Sequence, residues 1–93
     1  MKRYVAHRIF IDGENVLRNG FIELSESGLI SSLRTLKPGE EPHDTKHING
    51  ILMSPYGLKL TVGKAVPVIV AENLTWQDGH PVFTPETSFR ILD

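Results

Sequence analysis

Short apolar runs alternate with turn residues along the chain. From Tyr4 to Ile11, Val5, His7, Ile9 and Ile11 fall on one face of an extended segment, and Tyr4, Ala6, Arg8 and Phe10 fall on the other. Both faces are largely apolar, so the pattern predicts a strand covered on part of both sides. Asp12-Gly13-Glu14-Asn15 reads as a turn, because Asp and Gly tolerate the backbone angles a turn requires. Val16 and Leu17 resume the apolar pattern. Arg18-Asn19-Gly20 then reads as a second turn, since Asn-Gly between apolar runs is a strong hairpin signal. Phe21 to Leu24 predicts a strand ended by Glu26-Ser27-Gly28.

Leu29 to Leu36 supports two readings. Leu29, Ile30, Leu33 and Leu36 fit a helical stripe that Ser27 could cap. Alternation sets Leu29, Ser31, Leu33 and Thr35 against Ile30, Ser32, Arg34 and Leu36, and the neighbouring strands and turns favour this strand reading. Lys37 to Lys46 is polar and rich in Pro and Gly, so it predicts a mobile loop. His47 to Met53 is a short apolar run interrupted by Asn49-Gly50. Ser54-Pro55-Tyr56-Gly57 is a turn, with proline fixing one angle and glycine supplying the permissive one.

Leu58, Leu60 and Val62 alternate with Lys59 and Thr61, as in a half-buried strand. Val66 to Ala71 is the most β-branched run and predicts a central strand, although Pro67 cannot donate to a ladder and places the start of that strand at an edge or bulge. Asn73 to Pro81 reads as a long hairpin connection with Asp78-Gly79 at its tip. Val82-Phe83 pairs back, Thr84-Pro85-Glu86 turns, and Ser88 to Leu92 is the last strand. About seven short strands at this spacing predict an all-β domain, a small β-sandwich or open barrel.

At 93 residues the chain is one domain, 1–93, with a modest core. It has no cysteine, which excludes a disulfide framework, a thiolate zinc site and a cysteine nucleophile, and favours a reducing, cytoplasmic home. A net charge of −1 gives no general field to draw it to nucleic acid or acidic lipid. Lys2 and Arg3 are followed by an apolar stretch broken by His7, Arg8 and Asp12, which reads as neither a signal peptide nor a membrane span.

Two segments carry a family resemblance. The run from Arg8 to Leu33, RIFIDGENVLRNGFIELSESGLISSL, resembles the N-terminal strands of the metal-dependent amidohydrolase superfamily. The run from Leu60 to Leu92 is similar to that family's C-terminal strands, with Thr61-Val62-Gly63-Lys64 and Val68-Ile69-Val70 matching in place. In the family these terminal pieces form a small composite β-sandwich beside a (β/α)8 barrel that holds the metals. The resemblance therefore implies a composite domain without its barrel, built from an N-terminal half, 1–53, and a C-terminal half, 54–93. The departures are informative. The family's Asp-x-His-x-His segment would follow Gly50, where Leu52-Met53-Ser54-Pro55 stands, and Pro67 takes the place of an aspartate. No family metal ligand or catalytic residue carries over.

Candidate chemistry is sparse. His43 and His47 have a zinc-compatible spacing, but they fall in a loop leading into a strand, where solvated histidines are the simpler reading. His7 reads as a partly buried histidine on an apolar face, and His80 as a turn residue. Glu40, Glu41 and Asp44 read as loop solubility, because acid–base catalysis needs carboxylates held in a rigid pocket. Ser25, Ser27, Ser31 and Ser32 lack a nucleophile elbow, and Gly63-Lys64 lacks a phosphate-loop pattern. Trp76 and Phe83 either form an exposed interaction surface or close the end of the sandwich. Arginines interleaved with Tyr4, Phe10 and Phe21 could serve single-stranded nucleic acid, but Glu14, Glu23 and Glu26 intervene.

The expectation is a non-catalytic interaction or assembly module with no cofactor and no metal. Its expected partner is a second copy, as a homodimer, or another protein, with no nucleic acid or membrane involved. Two alternatives remain. A small metal-dependent hydrolase or hydrolase-associated accessory subunit would use His43 and His47 converged with His7 or His80. A ligand-binding module would use Trp76 and the 73–81 hairpin.

Overall fold

A computed structural model describes residues 1–92, the side chain of Tyr56 apart. The chain is all-β. Its strands are β1 (Lys2–Phe10), β2 (Val16–Leu24), β3 (Ile30–Thr35), β4 (Thr45–Met53), β5 (Ile69–Glu72), β6 (Thr75–Gln77), β7 (His80–Val82) and β8 (Ser88–Ile91), with one 3-10 turn at Pro55–Gly57. Six strands form a mixed sheet in the order β3-β2-β1-β4-β5-β8, and β6 and β7 form a separate hairpin. The β1–β4 pair is parallel and the other pairs are antiparallel.

The first hairpin turns at Asp12 to Asn15. Asp12 Oδ1 accepts the backbone N–H groups of Glu14 and Asn15 at 2.8 Å each, and Ile11 N–H donates to the Asn15 carbonyl at 2.9 Å. The second turn expected at Asn19-Gly20 does not form, and β2 runs straight through it. Asn19 takes a left-handed φ of 48° inside the strand. Gly20 pairs with Ala6 where a Cβ would lie 2.6 Å from Ile9 Cδ1. The Asn-Gly pair thus twists a continuous ladder and makes room for a core isoleucine, rather than reversing the chain.

Alternation also slips in β1. Tyr4, Ala6 and Ile9 all enter the core, so the faces exchange between Ala6 and Ile9. On the neighbouring strand the register passes from Ala6↔Ile48 to Arg8↔Ile51, one extra residue on β4. Asn49-Gly50 therefore bulges a nine-residue strand instead of breaking it. Residues 29–36 resolve as strand, from Ile30 to Thr35.

The core gathers Tyr4, Ala6 and Ile9 from β1, Ile22 from β2, Ile30 from β3, Ile48 and Leu52 from β4 and Val70 from β5. Leu60, Val68 and Leu92 complete it from outside the strands. Leu58 to Val62 is not the strand its alternation suggested. It belongs to an irregular strap that crosses the core face. Leu60 N–H donates to the Ile11 carbonyl, while Gly63 N–H and the Lys64 carbonyl bond the backbone of Ile30 at 2.8 and 3.0 Å. The strap places Leu60 in the core as a strand would, but spends its hydrogen bonds on scattered partners. The Val66–Ala71 run is corrected likewise: β5 begins only at Ile69, past Pro67, and lies next to the edge strand rather than at the centre. Pairing of β4 with β5 joins the residues before and after Ser54 in one sheet.

Val5, Phe21, Ile51 and Ala71 are buried on the opposite face. There Arg34 lies over Phe21, 5.0 Å from its centroid, and Arg8 lies over Trp76 at 4.6 Å.

Candidate functional site

The four histidines do not gather at one site, although His7 and His47 border the same recess. His43 and His47 are exposed, one before β4 and one within it, and His80 begins β7 of the separate hairpin. Among the described residues no three His, Cys, Asp or Glu side chains gather as a metal site. His7 was expected to be partly buried. It is exposed, on the same face as Val5 and Ala71, beside the same recess as His47.

The carboxylates that depart from ordinary acidity are engaged structurally. Hydrogen bonding by the Asn15 side chain, then by the Glu14 and Asn15 amides, lowers Asp12. Arg3 Nε, 2.7 Å from Glu23, and the Ser31 hydroxyl lower Glu23. Glu40 falls to about 2, chiefly through the Arg34 guanidinium and then the Lys37 amide. Arg34 grips both Glu40 oxygens, at 2.9 and 2.5 Å, and Lys37 N–H donates at 3.0 Å. The loop expected to be mobile is therefore anchored to β3 at Glu40. Each of these groups is held ionised by its neighbours, which suits an anchor better than a proton carrier.

Trp76 and Phe83 are 47% and 50% exposed, but they serve different places. Trp76 carries Arg8 on its ring and borders a recess with His7 and Asn49. Phe83 tilts against Phe89, with centroids 5.7 Å apart. It also lines an apolar pocket of about 220 Å³ with Phe10, Met53 and Leu58. Phe89 (54% exposed), Ile91 (76%) and Leu58 extend Phe83 into one apolar patch. Sequence reasoning missed this extension. Its signal was the alternation of Phe89 and Ile91 against Ser88, Arg90 and Leu92 in the last strand, of which only Leu92 is buried.

The patch borders a free sheet edge. Leu92 N–H donates to the Val68 carbonyl at 3.0 Å, so the pairs Val70↔Arg90 and Glu72↔Ser88 are also the hydrogen-bonded ones of this antiparallel ladder. Phe89 and Ile91 consequently direct their N–H and C=O groups away from β5. Among the described residues nothing pairs with them. Comparison with protein-family models, with curated proteins and with solved structures returned no match to this chain.

Proposed function

We propose that this chain is a non-catalytic β domain of the composite type, acting as a protein-interaction or assembly module in the cytoplasm. The observation that carries the reading is the contiguous apolar surface of Leu58, Phe83, Phe89 and Ile91 beside the unpaired edge of β8. Solvent-exposed apolar side chains of this size beside an open strand edge are features of a surface that meets another polypeptide. Pairing of β4 with β5 supports the composite-type reading, since it makes the halves 1–53 and 54–93 a single sheet. The absence of cysteine supports a reducing compartment. Among the described residues, no helix is long and apolar enough to cross a membrane.

The reading is tested by affinity isolation of the full chain from its own cells, with the double variant Phe83→Ser/Phe89→Ser alongside. It expects a protein bound stoichiometrically, another copy or a different chain, that the double variant loses. Recovery of no patch-dependent protein would overturn it, as would stoichiometric zinc in protein purified without a nickel column.

A further inference from the structure

We infer that the surface beside β8 receives a second copy of this chain, through antiparallel pairing of β8 with β8 about a two-fold axis. The inference rests on the interaction-module reading and names its partner. Phe89 and Ile91 each present one N–H and one C=O to the open edge. With Phe89 opposite Ile91 of the second copy, and Arg90 opposite Arg90 on the axis, every one of these groups finds a partner. The same register sets an aromatic ring against a β-branched side chain on one face, twice, a favourable cross-strand pair. No other register within β8 achieves this. Placing Phe89 opposite Phe89 would set Ile91 against Thr87, whose N–H already donates to Thr84.

Charge is balanced on the opposite face. Each Arg90 is held by its own Glu72 through Nε at 2.7 Å, and its terminal nitrogens make no bond among the described residues. Two guanidinium groups thus face one another at the axis, an unfavourable like-charge pair that each copy's own Glu72, one strand away on β5, offsets. At about 200 Å² for a fully exposed side chain, Phe83, Phe89 and Ile91 offer roughly 350 Å² per copy at the exposures found. Both copies together fall somewhat below the about 1,000 Å² of a stable interface, so the dimer is weak and depends on concentration.

Sedimentation velocity from low micromolar to near-millimolar protein reads this directly, and a reversible monomer–dimer equilibrium is expected. Ile91→Pro removes an outward N–H and leaves the bonds to β5 intact, so it abolishes the dimer while keeping the thermal midpoint. The chain has no cysteine, so a disulfide in Arg90→Cys can only join two copies. That variant is expected to give a covalent dimer under mild oxidation that a Ser31→Cys control on the other edge does not. A chain monomeric at every concentration overturns the inference, as does a dimer that survives Ile91→Pro and that Arg90→Cys fails to cross-link. A monomeric chain that still captures a different protein through Phe83 and Phe89 refutes self-pairing alone; loss of both results removes the module reading as well.

Discussion

Gly50→Ala should be among the most damaging single-methyl changes in the protein. Gly50 lies in the β4 bulge with a φ of 151°, a region that side chains rarely adopt. A Cβ there would lie 2.5 Å from the Ala71 carbonyl oxygen, 0.9 Å inside the 3.4 Å at which ordinary contact begins. The obstruction is backbone, so no rotamer change relieves it. Either β5 retreats, weakening Ile51↔Ala71 and its neighbours Leu52↔Val70 and Met53↔Ile69, or the bulge rearranges. Overpacking of this kind costs about 1–3 kcal/mol, and the strained backbone adds about 1–3 kcal/mol. A domain of this size has a total stability of roughly 5–14 kcal/mol, and each kcal/mol moves its midpoint by about 4–8 °C. Thermal melts by circular dichroism should therefore show a loss of at least about 8 °C. Gly13→Ala is the control, since nothing lies within 4 Å of its Cβ position. If Gly50→Ala melts no lower than Gly13→Ala, the close approach of β4 and β5 through this bulge is wrong.

Three further outcomes follow from the same geometry. Leu52→Ala empties a fully buried core position and should cost about 2–5 kcal/mol in urea unfolding. Arg8→Met gives up a cation–π contact worth about 0.5–1 kcal/mol but removes a buried Nε without a partner, a cost of about 1–3 kcal/mol; its melting midpoint should equal or exceed that of the parent. Glu40 has a folded pKa of about 2 against an ordinary 4.5, so its pairing stabilises the fold fully above pH 4.5 and is lost as pH falls through 2. The midpoint gap between the parent and Glu40→Gln should accordingly be constant at neutral pH, close between those values and shrink in high salt.

Much of the architecture was legible from local chemistry. The Asp12 turn, the Asp78-Gly79 tip and the strand nature of residues 30–35 follow from side-chain hydrogen bonding, tight-turn propensity and context. What misled was residue type read without its tertiary partner. Asn19-Gly20 looks like a hairpin until Ile9 is seen to need the space of the missing Cβ. Leu58 to Val62 alternates like a strand, yet the backbone of Ile30 and Ile11 draws it into a strap. The candidate surface was half visible. Trp76 and Phe83 stood out as aromatics, but Phe89 and Ile91 matter because β8 ends the sheet, and strand order is not encoded locally.

The parallel contact between β1 and β4 also shapes how the chain reaches its native state. Arg3 must find Thr45, and Ile9 must find Leu52, across a span that no hairpin can bridge. The meander of β1 to β3 can zip from its own turns, whereas β4 waits on closure of a long loop, whose entropic cost delays the pairing. During synthesis the N-terminal meander emerges first. Until β4 arrives, the inner edge of β1 stands open, so nascent chains are most vulnerable to misassociation in the interval before residue 53 clears the ribosome.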